Sequence, residues 1–469
     1  MLNIDVNRIS GLSDLERLQL QRLLEVFKEH EGKNAEKNRY YEGKISLADV
    51  NLGIALPEGM RGLEIGCAWG AKCVDVLAAR SMFDGFVGVQ GEPVEELDRI
   101  VRGNSLTTAY NPAARDELKL GCTFATLSKD PVIGCRIRFH SAMTAAALWD
   151  GDLGRIGCGL AVIDTAPADS LNKEHRPSLV NFYTDDSVIV LSRRGEEWSM
   201  ERLGHKMGRP LMEPLIWNAT SNKPFGRSRI KEPVRRLIQG YVRTIANATI
   251  GLEFATSPQK YLLGVTDEQY DALINQRFKQ YVGAILASTT NPETGEKPSF
   301  GQLTQGNISP HVEMIRMLAT QFSAATGLPV TDAGVVNDAN PTSSDAILAQ
   351  TQTLVGMAEQ LNAGNGDSLR TIGIMALAIA RDVTPAELSD QDRAIIAHFK
   401  NPSLPSVAVT ADAAIKIASA RPAFAETDTF LEMIGFSQAD VRRIKAQELR
   451  NRGLGLVNEL TEEEPNADQ

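Results

Sequence analysis

Hydrophobic residues recur at helical spacing close to the start of the chain. They follow a capping box, because Ser13 can accept a hydrogen bond from the amide of Glu16 while Glu16 reaches back to the amide of Ser13. The positions that define the apolar side are Leu15, Leu18, Leu23, Val26 and Phe27. This pattern predicts a helix that begins at the box.

A mixed pattern follows between residues 74 and 200. Residues 74–81 predict a short helix. Four short runs of apolar and β-branched residues then predict strands: FVGVQ (86–90), CRIRFH (135–140), CGLAVID (158–164) and SVIVLSR (187–193). The first large unit is therefore predicted to combine helices with strands.

Two long helical patterns enclose a small insert in the next part of the chain. The first covers residues 228–254, about 40 Å of helix, and the second begins at Ser309 and Pro310 and ends at Gly327. Between them lie the strand-like YLLGV (261–265), a helical pattern at 268–280 and the Gly- and Pro-rich TTNPETGEKPSFGQL (289–303), which predicts an exposed loop or hairpin.

The last third of the chain is predicted to be helical. The patterns lie at residues 345–363, 369–382, 412–420 and 427–451. The final ELTEEEPNADQ is acidic and low in apolar residues, and this composition predicts disorder. The fold class predicted for the whole chain is α+β, mainly helical.

Composition narrows the classes of protein. The chain has 469 residues and a formal charge of −10, which argues against a surface that binds nucleic acid phosphates throughout. No apolar run reaches the roughly 20 residues of a membrane helix, so no membrane partner is expected. The five cysteines have no CxxC spacing, and they are expected to be buried thiols in a reducing compartment.

One segment resembles a cofactor loop. In LEIGCAWGAKCVD, Glu64, Gly66 and Gly70 resemble the acidic, glycine-rich loop with which methyltransferases hold S-adenosylmethionine. However, Ala68 replaces the middle glycine and bulky Trp69 follows it, which favours a turn with Trp69 packed in a core. The chain has no phosphate-binding loop and no nucleophile elbow, and its histidines are scattered, so no cofactor, metal site or enzymatic activity is expected.

A basic segment stands out in the acidic chain. Between residues 223 and 243 seven basic side chains accompany one acid, Glu232. The basic residues are Lys223, Arg227, Arg229, Lys231, Arg235, Arg236 and Arg243. A solvated helix face, a phosphate contact and a contact with an acidic neighbouring subunit all fit this pattern.

Several strings, taken together and in this order, resemble the portal proteins of tailed double-stranded DNA bacteriophages, in particular the long-tailed, non-contractile siphovirus-type branch. They are RYYEGK (39–44), LGIALP (52–57), Trp69 with VDVLAAR (74–80), PFGRSRI (224–230), SPQKYLLGV (257–265), LATQFSAATGLP (318–329), NPTSSDAI (340–347) and LEMIGFSQADVRRIKAQELR (431–450). The resemblance extends from about residue 37 to 450 and places Trp69 in a structural domain.

The resemblance implies a dodecameric ring at one capsid vertex without enzymatic activity of its own. Its implied roles are genome packaging, head-tail connection and genome ejection. The implied partners are further copies of the chain, double-stranded DNA passing through the channel, the terminase large subunit, a head-tail adaptor protein, and the major capsid and scaffold proteins. The implied location is the virion, with assembly in the host cytoplasm. The net acidity agrees, because carboxylates repel DNA phosphates and a channel must not hold its cargo.

The resemblance also implies a division of the chain. The segments are a wing (1–222), a first stem helix (223–256), a clip (257–307), a second stem helix (308–329), a tunnel loop (330–345), wing or tunnel helices (346–383), a helical crown (384–455) and a disordered acidic tail (456–469).

Three groups of site residues are expected from this division. The tunnel loop is expected to line the narrowest point of the DNA channel with Val335, Val336, Asn337, Asp338 and Asn340. The stem is expected to form contacts between subunits through Arg229, Arg235, Arg236, Glu313 and Arg316, with arginines of one subunit pairing with carboxylates of the next. The clip is expected to dock partner proteins through Asn291, Glu293, Glu296 and Lys297. Two alternatives stay open: a methyltransferase that uses Glu64 and Gly66, and a different head-tail connector component.

Overall fold

The computed structural model describes residues 2, 4–46, 65–89, 91, 94–166, 176–195, 197–256, 260–263, 295, 297, 299–302, 307–334, 344–403, 407–436 and 438–462. The helices in these ranges are α1 (Asp14–Tyr41), α2 (Trp69–Ala78), α3 (Glu95–Gly103), α4 (Leu106–Leu120), α5 (Glu232–Thr256), α6 (Ser309–Thr326), α7 (Ser344–Arg381), α8 (Asp390–Arg393), α9 (Val407–Ala420), α10 (Asp428–Ile434) and α11 (Gln438–Glu462). The strands are β1 (Phe83–Val87), β2 (Cys122–Asp130), β3 (Gly134–Ser141), β4 (Ala145–Asp150), β5 (Arg155–Ala166), β6 (Arg176–Tyr183), β7 (Ser187–Arg194), β8 (Glu197–Gly204), β9 (Met212–Ile216), β10 (Lys260–Leu263), β11 (Ser299–Gln302) and β12 (Ile396–Phe399).

Helix α1 begins at the predicted capping box. The Ser13 Oγ accepts from the Glu16 amide, and the Glu16 carboxylate accepts from the Ser13 amide. Three of the five predicted apolar positions, Leu23, Val26 and Phe27, pack in the core against the sheet, whereas Leu15 and Leu18 are 65% and 63% exposed. Leu20, which was not predicted, is fully buried there.

Two antiparallel sheets form the β part of the body. One has five strands in the order β4-β5-β6-β7-β8, and the other has three in the order β3-β2-β9. The runs at 135–140, 158–164 and 187–193 lie within β3, β5 and β7, whereas the run at 86–90 overlaps only the last two residues of β1. Helix α1 covers one side of the five-stranded sheet, where Val180 and Phe182 of β6 are fully buried.

Strand β1 pairs with β12, which lies about 300 residues later in the sequence. It lies antiparallel to β12, with Phe86 opposite Ala397. Helices α3, α4 and the second half of α7 pack around this pair and the three-stranded sheet in one hydrophobic core. The N-terminal mixed part of the chain is therefore joined to residues near 400 by both backbone hydrogen bonds and apolar packing.

Helix α7 is one continuous helix where two were predicted. Residues 345–363 and 369–382 were predicted to be separate helices, yet α7 runs unbroken for 38 residues. The intervening Gly364, Asn365 and Gly366 are poor helix formers. Asn365 is fully buried, and its Nδ2 donates to the Tyr110 Oη at 2.8 Å and to the Glu117 Oε2 at 2.7 Å, which holds the helix through this point.

The C-terminal helices also differ from their prediction. Residues 427–451 form two helices rather than one, because Gly435 at φ 110° ends α10 before α11 begins. Helix α11 extends to Glu462, so part of the tail predicted to be disordered is helical, and residues 463–469 lie outside the described ranges. All five cysteines are buried and free, as expected. None of the described helices combines the length and apolar composition that crossing a bilayer requires.

An ion pair fixes the start of α1 to the sheet, and its loss should be measurable. Arg202 donates to both Glu16 oxygens at 2.6 and 2.9 Å, and this pairing lowers the pKa of Glu16 to about 2. Because the pKa of Glu16 is lower in the folded chain, the ion pair stabilises the fold at pH values above the ordinary carboxyl pKa. This stabilisation is lost as the pH falls towards 2. We expect Glu16→Gln to cost about 1 kcal/mol at pH 7, discounted for the exposure of Arg202, and less at pH 3.

Urea unfolding midpoints at the two pH values measure this effect. Glu25→Gln is the matched control, since its partner Arg22 is 64% exposed and the pair is worth little. Equal losses for the two variants, or a Glu16→Gln loss that does not shrink at low pH, would contradict the assignment.

Candidate functional site

Helices α5 and α6 pack together where they meet the body. On α5 the buried positions recur every four residues, at Val234, Ile238, Val242 and Ala246. Leu318 and Phe322 of α6 pack in the same hydrophobic core. Gly240 allows the two helices to approach, because a Cβ there would lie 3.3 Å from a methyl group of Leu318. We call the place where these helices join α2 and α7 the helix junction, defined by Trp69, Arg229, Tyr241, Phe322 and Thr326.

Trp69 is the aromatic centre of the helix junction. It is 5% exposed and stacks on Phe322 with 4.9 Å between ring centroids, while Tyr241 lies 4.7 Å away in a tilted arrangement. Its Nε1 donates to the carbonyl oxygen of Ala333 at 3.1 Å. The prediction that Trp69 packs in a core is confirmed. The hydrogen bond also fixes the chain just before residue 335.

Gly70 has a packing role. A Cβ at this position would lie 2.0 Å from the carbonyl oxygen of Tyr40, so only glycine allows α2 to contact the end of α1. Gly66 has open space around it, and Glu64 lies outside the described residues. The glycine that resembled part of a cofactor loop is thus explained by the contact between two helices.

The position of Arg229 differs from the one expected for the stem. It was expected to pair with a neighbouring subunit, but its side chain is 8% exposed and lies inside the chain. The Nε donates to the Cys73 carbonyl at 2.5 Å and the Nη2 to the Thr326 carbonyl at 2.7 Å. The reason is local: α5 begins at Glu232, so Arg229 precedes the helix instead of lying on its outer face.

The electrostatics of Arg229 are unusual for a buried cation. Thr326 is the last residue of α6, so its carbonyl belongs to the negative end of that helix dipole. The guanidinium also lies 3.4 Å from the Met357 sulfur of α7 and 5.8 Å from the ring of Trp217. Burial lowers the pKa of Arg229. Its donors therefore connect α2, α6 and α7 at one point.

Arg235 and Arg236 of the stem have partners within the chain. Arg235 pairs with Glu36 of α1 at 3.2 Å, a contact that sequence spacing did not reveal. Arg236 pairs with Glu232 one turn earlier at 3.1 Å, where both side chains are exposed. Glu313 and Arg316 are exposed on α6, and a contact between subunits through them stays a prediction.

Two of the three expected groups lie mainly outside the described residues. Val335, Val336, Asn337, Asp338 and Asn340 are all outside, and so are Asn291, Glu293 and Glu296. Lys297 is described and exposed. The channel lining and the docking role of the clip therefore stay predictions.

A buried polar cluster was missed from the sequence. Glu117 of α4 is fully buried, and burial raises its pKa to about 8. Its Oε2 accepts from Asn365, which also donates to Tyr110; the Tyr110 hydroxyl lies 2.8 Å from the Oγ of Ser81. The sequence contained a signal for this cluster, because Glu117 lies at helical spacing from Tyr110, Ala114 and Leu118, on the apolar side of α4. Across the described ranges, no group of three His, Cys, Asp or Glu side chains is placed to hold a metal ion.

No family model and no curated protein matches the chain. Similar chains occur in solved structures, among them two structures of gene transfer agent particles. One is from the virion of a native gene transfer agent particle, with 14% identity, a TM-score of 0.45 and coverage of 75% of this chain and 86% of that one. The other is from the neck of a native gene transfer agent particle determined with C12 symmetry, with 13% identity, a TM-score of 0.45 and coverage of 78% and 89%. At this level the likeness carries no argument about what the present chain does.

Proposed function

We propose that the chain is the portal subunit of a tailed bacteriophage, and that twelve copies form a DNA channel at one vertex of the capsid. The channel passes the genome during packaging by the terminase and during ejection, and the clip meets the head-tail adaptor. The observation that carries the proposal is the order of elements from α5 to α6. Two packed helices enclose an insert that contains an antiparallel strand pair, β10 and β11, as the sequence resemblance implies.

The anchoring of the two helices supports the same role. Stem helices in a ring that passes DNA need a firm attachment to the surrounding body. The helix junction supplies it through the stacked Trp69 and Phe322 and through the buried Arg229. In this proposal α5 and α6 form the stem, and the net charge of −10 opposes adhesion of DNA to the channel.

The assembly state of the purified chain tests the proposal. We expect mass photometry to find a species of twelve 51.0 kDa chains, and negative-stain averages to show a ring with a central hole. The Glu313→Lys variant should form fewer rings if this exposed carboxylate faces an arginine of the next subunit. Glu197→Lys is the control, because Glu197 is an exposed acid on the edge strand β8.

Other results would replace the proposal. Rings or tubes of a different symmetry would favour another head-tail connector component. A monomer or dimer that persists across salt and protein concentrations and in the presence of scaffold protein, together with S-adenosylmethionine binding that Glu64→Ala abolishes, would favour the methyltransferase.

A further inference from the structure

A cavity of about 970 Å³ lies between the N-terminal body and the C-terminal helices. Residues of α3, α4 and β1 form one side together with Lys400, whose amide donates to the Met82 carbonyl next to β1, and Arg442 of α11 reaches the cavity from the other side. Four cations line it, Arg102, Arg115, Lys400 and Arg442, against two carboxylates, Asp84 and Asp98. We call this cavity the basic cleft.

The charges in the basic cleft do not cancel. Arg442 forms a close ion pair with Asp98, and the Lys400 Nζ lies 4.0 Å from Asp84. Arg115 has only a 3.6 Å contact with Asp75, outside the lining. Arg102 donates to the backbone oxygen of Asp98, and among the described residues no carboxylate lies within ion-pair distance of it. The lining thus has an excess of positive charge in a chain that is acidic overall, which fits an anionic ligand.

The chain itself contains a segment of matching charge. Residues 459–469, ELTEEEPNADQ, include five acids and no lysine or arginine. Three of the acids, Glu462, Glu463 and Glu464, are consecutive. A cavity of this volume accommodates several residues of an extended peptide, and exposed arginines favour carboxylates because the guanidinium donates to both oxygens.

The three consecutive glutamates cannot reach the basic cleft of their own chain. Helix α11 is continuous from Arg442 to Glu462, twenty residues that span about 30 Å. Glu463 and Glu464 follow directly and add at most about 7 Å of extended chain. While α11 is intact, these acids are therefore held about 20 Å or more beyond Arg442, but a second copy can place them in the cleft.

We propose that the acidic segment at residues 459–469 of one copy docks in the basic cleft of a second copy. The contact requires two copies but no ring of a given symmetry, so it goes beyond the proposed function and can fail or hold independently of it. Each subunit would carry both halves of the contact, the cleft at the start of α11 and the acidic segment at its end. Such a head-to-tail arrangement connects successive copies.

Peptide binding to the full chain tests this contact. The receptor is the variant Glu462→Gln, Glu463→Gln, Glu464→Gln, in which the chain's own segment no longer competes. The probe is a fluorescently labelled ELTEEEPNADQ peptide, followed by fluorescence anisotropy at several salt concentrations. We expect binding that weakens as salt rises, and at least tenfold weaker binding of the peptide ELTQQQPNADQ.

Charge reversal in the receptor locates the site. Arg102→Glu with Arg115→Glu should weaken binding at least tenfold, whereas Arg22→Glu with Lys33→Glu, two exposed cations of α1, should change it less than twofold. The ELTQQQPNADQ peptide, which lacks the three consecutive glutamates, keeps the test valid if a cleft variant fails to fold. Absence of binding, equal binding to both reversed receptors, or tighter binding of a double-stranded DNA oligonucleotide in the cleft would overturn the proposal.

Discussion

Replacing Arg229 with alanine is expected to lower the free energy of unfolding by about 3 kcal/mol or more. A hydrogen bond from a charged donor contributes roughly 1.5–3 kcal/mol, and Arg229 donates to the carbonyls of Cys73 and Thr326 inside the chain. The alanine variant leaves both groups without this donor and opens a cavity beside Met357. Urea unfolding followed by tryptophan fluorescence measures the change.

Two further variants separate geometry from charge. Arg229→Lys keeps the charge but replaces the planar guanidinium, whose Nε and Nη2 each donate to a different carbonyl, with one nitrogen, so we expect it to recover less than half of the loss. Arg227→Ala removes an exposed arginine two residues earlier and should change stability by less than about 0.5 kcal/mol. Full recovery by lysine would mean that charge alone matters. A loss with Arg227→Ala as large as with Arg229→Ala would mean that the helix junction is not the cause.

The substitution Glu117→Gln is expected to stabilise the protein in alkaline solution. Burial raises the pKa of Glu117 to about 8 from an ordinary value of 4.5, so the folded chain keeps a proton that the unfolded chain releases. Wherever the folded state binds more protons, stability falls as pH rises. Between pH 4.5 and 8 this cost in folding free energy grows to about 5 kcal/mol, at 1.36 kcal/mol per pKa unit. A glutamine side chain does not ionise, so the Glu117→Gln variant does not lose this stability as the pH rises.

Unfolding midpoints at pH 5 and pH 8.5 measure this prediction. The gain of Glu117→Gln should be small at pH 5 and should reach about 2 kcal/mol or more at pH 8.5. Glu448→Gln serves as the control, because Glu448 is exposed on α11 and its substitution should leave the pH profile unchanged. A Glu117→Gln variant with the pH profile of the natural chain would show that Glu117 is ionised in the folded state.

Local patterns located several elements, although α3, α4, β2, β4, β6, β8 and β9 were not predicted. The capping box located the start of α1, and short β-branched runs located β3, β5 and β7. Both signals depend on residues within a few positions of one another, so a single sequence carries them. The continuity of α7 could not be obtained in this way, since Asn365 is held by Tyr110 and Glu117, about 250 residues away.

The candidate site shows the same limit. The basic character of residues 223–243 was evident from the sequence, but the direction of each arginine was not. Arg229 and Arg235 find their partners on α2, α6 and α1, which are distant in sequence. A cation that precedes a helix can turn inwards when backbone carbonyls from other helix turns meet there. The family resemblance therefore led to a prediction of a subunit interface for Arg229, whose side chain is buried inside the chain.

Helix α7 belongs to both of the larger hydrophobic cores. Leu354, Ala358 and Leu361 pack at the helix junction, while Leu369 and Ile372 pack beside the three-stranded sheet. At 38 residues its axis is about 57 Å long. Because consecutive turns are joined by backbone hydrogen bonds, such a rod transmits displacement with little bending. A pull or twist applied to α5 and α6 is consequently shared by the β1–β12 pair, and the load is distributed over the whole body.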